Sequence, residues 1–245
     1  MLVDLIRNSN GPKEVIYKLI IYVFALTLAF SIHEFMHAAI AVWLGDNTPR
    51  NMGRLTLNPI AHIDPVGTIL LLVAGFGWGK PVMYNPNNLH KFKSRRAMNI
   101  MVHLAGVTGN FLLAYVSFVL CTLFGALAFQ FSGSQVVFTA LMEAFGYTYA
   151  FSMMLLAFNL LPIPPLDGFH VLEELLPYKA RRSNGYQTFQ RIAPMAIWLV
   201  FIVSMVSQKP ILGTVIGWIE TPFEYLIGLL ATPFVMLFRW LGLVV

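Results

Sequence analysis

Apolar residues gather along this chain into runs of membrane length, separated by short polar stretches. A helix needs about 20 apolar residues to cross a bilayer. Residues 16–44 form the first run, interrupted by Lys18 and by a histidine–glutamate cluster and stopped at Gly45 in "WLGDNTP". Residues 98–130 form the second, inside a stretch from Ala97 to Met142 that holds no Asp, Glu, Lys or Arg, and "QFSGSQ" punctuates that stretch as a turn. Residues 136–161, containing Glu143, form the third, and residues 192–207 a short fourth. The fifth, 211–241, is interrupted by Pro222 and Pro233 and reads as one piece or two. The pattern predicts an all-α polytopic membrane protein of about five to six transmembrane helices. Between the first and second runs, "HIDPVGTILLLVAGFGWGKPV" is glycine-rich and too short to span, which fits a re-entrant or short β element covered by protein. Upstream of it, "GRLTLNP" alternates polar and apolar residues around Leu55 and Leu57, a weak strand signal.

Composition strengthens the membrane reading. The chain has 245 residues, 58% hydrophobic and 11% charged, with a mean hydropathy of +0.70; a globular domain carries about 25% charged residues. Nothing of suitable size and polarity is left for a separate soluble domain, so 1–245 reads as one integral-membrane domain, with a core at roughly 16–176 and further helices in 190–245. The formal charge of +5 reflects basic residues gathered on one side of the bilayer. No basic run is interleaved with aromatics, so no nucleic-acid partner is expected. Cys121 stands alone, which excludes an internal disulfide. Residues 1–18 carry Asp4, Arg7, Lys13, Glu14 and Lys18, and the apolar stretch after Lys18 has no small-residue cleavage site before the histidines, so the first segment is expected to be retained. The connection 45–97 carries seven Lys or Arg, 162–190 carries Lys179, Arg181 and Arg182, and the turn between the second and third runs carries none. That asymmetry places 45–97 and 162–190 in the cytoplasm, against the pull of Arg7, Lys13 and Lys18 at the other end of the first helix.

The first run holds the chemistry. In "SIHEFMHAAI", His33 and His37 are four residues apart and lie on one helical face. Two imidazole nitrogens at that spacing can hold one zinc ion, and Glu34, rotated by about 100°, is placed to touch a water rather than the metal. Ionisable groups within a membrane helix cost at least about 2.5 kcal/mol each and are rarely idle. Catalytic zinc keeps three protein ligands and one open position. Asp167, Glu143, His103, His170, His62 and Asp64 are the candidates for the third ligand. Asp167 follows the third helix in "NLLPIPPLDGFH", whose three prolines forbid a regular helix. His33 and His37 lie about 10–17 Å from the cytoplasmic end of their helix, and Asp167 is delivered from a helix ending on the same side. Glu143 belongs to the opposite half, and His170 is the rival of Asp167.

Taken together, "HEFMH" and "NLLPIPPLDG" resemble the H-E-x-x-H and N-x-x-P-x-P-x-L-D-G motifs of the site-2 protease family, the intramembrane zinc metalloproteases. "GRLTLNPIAHIDPVGT" and "GWGKPV" resemble the segment that links those motifs in short members, and "HLAGVTGN" resembles a family A-G-P-x-x-N element with Val107 where proline is usual. The resemblance spans most of residues 30–175 and looks like a short form without an added soluble domain. It implies that His33, His37 and Asp167 bind one Zn2+ per chain, that Glu34 is the catalytic base, and that Asn159 and Asn110 contact substrate. The implied activity is that of a zinc metalloendopeptidase hydrolysing peptide bonds within or near transmembrane segments of membrane proteins. The implied setting is a multi-pass protein of a prokaryotic cell membrane, its active site toward the cytoplasm and its partners transmembrane substrates and the bilayer. A metal transporter and a non-catalytic substrate-binding relative are the alternatives.

Overall fold

The computed structural model describes residues 11–67, 79–207 and 211–243. Eight α-helices are described: α1 (Pro12–Trp43), α2 (Thr48–Asn51), α3 (Arg95–Gln130), α4 (Gln135–Asn159), α5 (Asp167–Leu175), α6 (Tyr178–Arg181), α7 (Asn184–Ser207) and α8 (Ile211–Trp240). Short 3-10 turns occupy Pro59–Ala61, Pro86–Asn88 and Ser132–Ser134. Local chemistry sets the boundaries. Pro12 opens α1, where its missing N–H costs nothing. Gly45, at φ 119°, turns the chain away from it, and a side chain there would overlap the His90 ring. Ser94 starts α3 by accepting the Ala97 N–H at 3.2 Å. Pro162, Pro164 and Pro165 keep the chain between α4 and α5 out of regular helix, as their sequence predicts.

α1, α3, α4 and α8 are long and apolar enough to cross a membrane. The chain is thus an all-helical integral membrane protein with four such helices among the described residues. α7 begins at Asn184, before the apolar run 192–207. The fifth run forms one helix that passes through Pro222 and Pro233; Thr221 and Thr232, each just before a proline, donate to the carbonyls of Gly217 (2.8 Å) and Gly228 (2.9 Å).

No strand forms among the described residues. At 53–58 a turn replaces the expected alternation: Thr56 N–H bonds to Arg54 C=O, Asn58 caps the following 3-10 turn, and the buried Arg54 guanidinium donates to the Ala61 carbonyl. Much of the expected re-entrant element, 68–78, lies outside the described residues.

α1, α3 and α4 pack on one another, and α8 packs on α3 and α4. Small residues let the first three come close. Ala25, Ala29, Ala38 and Ala41 of α1 are fully buried. On α3, a Cβ at Gly106 would overlap the rings of His33 and His37, and one at Gly109 would overlap Met36. α5 is drawn back against the foot of α4: a Cβ at Gly168 would overlap the Leu160 carbonyl. The loop side of this bundle is pinned by Asp46, which is fully buried and accepts from Thr48 N and Oγ1, Asn85 N and Asn88 Nδ2. Burial opposes its ionisation, but these four bonds outweigh that and hold its carboxyl below the ordinary carboxylate range.

Candidate metal centre

His33 and His37 project from α1 toward α3, and Asp167, the first residue of α5, meets them from the far side of the proline segment. His37 Nε2 lies 3.1 Å from His33 Nε2, and Asp167 Oδ2 lies 3.3 Å from His33 Nε2 and 3.2 Å from His37 Nε2. Tetrahedral ligands about 2.0–2.1 Å from a zinc ion stand about 3.3–3.4 Å apart. The triangle therefore has nearly the edge lengths that three ligands of one zinc ion require.

The protonation pattern favours a cation as well. His37 Nδ1 lies 2.7 Å from the Val102 carbonyl oxygen. A carbonyl only accepts, so Nδ1 carries the proton and Nε2 presents a lone pair to the other two donors. Asp167 Oδ2 is buried and makes no hydrogen bond. Lone pairs converging on one buried point need a positive charge between them, and these three residues are the one group of metal-binding type among the described residues.

Beside the triangle, Glu34 is 7% exposed, and its Oε2 accepts the backbone N–H of Val82 at 3.0 Å. Val82 belongs to the "GWGKPV" segment, whose Lys80 N–H is tied to the His62 carbonyl at 2.8 Å. That leaves Oε1 as the carboxylate oxygen not engaged by Val82.

The remaining candidates are not part of the triangle. His103 bonds to the Tyr84 hydroxyl at 3.0 Å and stacks on His170 at 4.9 Å between ring centroids. His170 faces Glu173 across 3.5 Å. His62 reaches the Thr56 carbonyl at 2.9 Å, and Asp64 accepts the Gly67 N–H at 2.8 Å. Glu143 pairs with Tyr17, near the opposite end of α1. Asn159, at the end of α4, donates to the Leu155 carbonyl at 2.9 Å. Asn110 is fully buried, with its amide nitrogen 3.3 Å from His33 Nδ1. The sequence reading missed the Val82 amide and the Val102 carbonyl, because a main-chain group carries no residue-type signal. Gly106 and Gly109 were readable in "AGVTGN" as small residues three apart, but not their opposite number on α1.

Residues 21–205 match the family described as "Peptidase family M50". The chain is 38% identical over 196 residues to "Putative zinc metalloprotease YwhC" of Bacillus subtilis (strain 168), covering 80% of this chain and 83% of that one. It is 28% identical over 209 residues to "Putative zinc metalloprotease Rip2" of Mycolicibacterium smegmatis, covering 84% and 73%. With the Rip2 of Mycobacterium tuberculosis (strain ATCC 25618 / H37Rv) the identity is 31% over 161 residues, covering 64% and 57%. No solved structure matches.

Proposed function

We infer the working parts of this protein from its family: the chain belongs to peptidase family M50, the site-2 proteases, and is an intramembrane zinc metalloprotease. His33, His37 and Asp167 hold one zinc ion, and Glu34 is the general base. The observation that carries these assignments is the triangle of two imidazole nitrogens and one carboxylate oxygen with Glu34 alongside.

Zinc, when bound, acidifies a water molecule and polarises the scissile carbonyl. The protein's own groups do the rest. Val82 N–H fixes Glu34 through Oε2, so Oε1 is the oxygen that takes the proton from water and delivers it to the leaving amine. The Val102 carbonyl keeps His37 in the ligating tautomer. Asn159, eight residues before Asp167 at the foot of α4, is the candidate for holding substrate.

The substrates are transmembrane segments of other membrane proteins, and a helical segment must unwind before its amide can be attacked. The "GWGKPV" segment passes next to Glu34 at Val82, which suits pairing of its main chain with an extended substrate. The bias of Lys and Arg toward 45–97 and 162–190 supports a site facing the cytoplasm, and the relatives named above, all bacterial, support a prokaryotic cell membrane.

The test is cleavage of a model transmembrane substrate in proteoliposomes by the wild type and by Glu34→Gln. The expected result is zinc-dependent cleavage by the wild type, stopped by chelation, and none by the variant despite bound zinc. Equal cleavage by both removes Glu34 as base. Zinc transport without cleavage would assign the site to a transporter instead.

A further inference from the structure

Resting on that zinc reading, we propose that Asn110 is a positioning residue for the metal site: its side-chain carbonyl oxygen accepts the Nδ1–H of His33 and thereby aims a bare Nε2 at the cation. The two histidines are held from one line of α3. Val102, Gly106 and Asn110 stand at four-residue spacing, so they lie along one face of that helix. Val102 receives His37 through its backbone carbonyl. Gly106 lies against both rings, and Asn110 meets His33. α1 runs antiparallel to this face, so His37 pairs with the earlier position of α3 and His33 with the later one.

His37 has its tautomer set by a group that can only accept. His33 needs an equivalent acceptor, and Asn110 is the residue in hydrogen-bonding distance of its Nδ1, at 3.3 Å. The amide nitrogen is placed toward the ring, and the buried Oδ1 has no partner. Amide oxygen and nitrogen are assigned from the surrounding network, because their shapes are nearly identical. With the nitrogen toward the ring, His33 Nδ1 would have to accept, and its proton would sit on Nε2. That proton would then point into the triangle, where the cation belongs, since His33 Nε2 lies 3.1 Å from His37 Nε2 and 3.3 Å from Asp167 Oδ2. Turning the amide by half a revolution places Oδ1 against Nδ1–H and frees the Nε2 lone pair. One amide atom lacks a partner at this position in either orientation, so hydrogen-bond counting does not choose between them. Metal binding does, since only one orientation leaves His33 able to ligate. A group that fixes the far nitrogen of a ligating histidine typically contributes about 10–100-fold in metal affinity.

Asn110→Leu keeps the volume and removes the acceptor; Asn110→Asp keeps an acceptor and removes the donor. Zinc affinity of the full-length protein, purified in detergent and stripped of metal, is measured by competition with a chromogenic chelator. The visible spectrum of the Co2+-loaded forms reports ligand geometry. The expected result is a loss of affinity of about 10–100-fold for Asn110→Leu, with a shifted Co2+ spectrum, and wild-type or tighter binding for Asn110→Asp. Wild-type affinity and spectrum in Asn110→Leu would overturn the proposal, as would a loss in Asn110→Asp as large as that in Asn110→Leu. Should Asn110→Leu fail to fold, Asn110→Asp decides alone: retained affinity supports the acceptor role and a tenfold loss refutes it. A wild-type protein that holds no zinc would overturn the functional reading itself, a different result from a wild type that binds zinc and a variant that binds it equally well.

Discussion

Glycines serve opposite purposes in the two halves of this molecule. In the part that carries the metal ligands, Gly106, Gly109 and Gly168 sit where another group occupies the place of a side chain: the histidine rings, Met36 and the Leu160 carbonyl. In the last two helices, a Cβ added at Gly185, Gly217 or Gly228 meets nothing within 4 Å. Burial follows the same division. α1 buries ten residues, among them His33, Glu34 and His37, whereas α8, nearly as long, buries Ile227, Ala231 and Phe238. Between α7, α8 and the segment leading to Asp167 runs an apolar cleft of about 630 Å³, lined by Leu161, Ile163, Phe189, Ile192, Ile197 and Val215 among others. The first half builds a fixed polar constellation, which requires close backbones and defined partners. The second offers apolar surface whose natural neighbour is lipid. The chemistry should therefore be sensitive to small changes in the first half and tolerant of them in the second.

The largest effect is expected at the third ligand. Asp167→Ala removes one of three zinc donors, and cleavage of a transmembrane substrate should fall by more than about a hundredfold, since even loss of a supporting contact costs up to that much. Metal analysis should show less than one zinc per chain. Cleavage within a few-fold of wild type would break the comparison at its centre. Next comes Gly106→Ala. The added methyl collides with both imidazoles, so α1 and α3 must separate and the triangle must open. Chelator competition should show zinc affinity lowered by about tenfold or more, while Gly217→Ala and Gly228→Ala leave it unchanged.

Asp46→Asn is expected to have an intermediate effect, on stability rather than on chemistry. It weakens four hydrogen bonds to a buried carboxylate, and the loss should be about 1–3 kcal/mol, read from thermal unfolding in detergent. The pH dependence follows from the depressed carboxyl of Asp46. Its contribution is fully present above the unfolded value of about 3.9 and is lost as pH falls through the lower folded value. Wild type should thus lose stability below about pH 4 more steeply than Asp46→Asn. The smallest effects belong to the C-terminal helices: Gly217→Ala and Gly228→Ala should shift stability by less than about 1 kcal/mol, in the favourable direction, through helix propensity alone. Destabilisation larger than that would mean those glycines face a partner.

The site was legible in the sequence to the extent that residue type carries its chemistry. Two histidines four apart and a glutamate between them announce a metal in a membrane helix, and Asp167 stood out because three prolines deliver it from a non-helical segment. The register of α1 against α3 was not legible. Asn110 was visible as a polar residue in an apolar helix, but its place against His33 depends on which turns of two antiparallel helices meet. Main-chain partners such as Val82 N–H leave no trace in composition. In the fold, the long apolar runs were read within a few residues. The expected strand failed where local signals competed: Leu55 and Leu57 alternate like a strand, yet Arg54, Thr56 and Asn58 close a turn.

The central claim is that one cation is held by His33, His37 and Asp167. X-ray absorption at the zinc edge of the purified wild type and of Asp167→Ala tests it most directly. The account predicts one zinc per wild-type chain with two imidazole nitrogens and an oxygen ligand set at about 2.0–2.2 Å, and a changed or lost signal in the variant. An identical zinc spectrum at full occupancy in Asp167→Ala would contradict it.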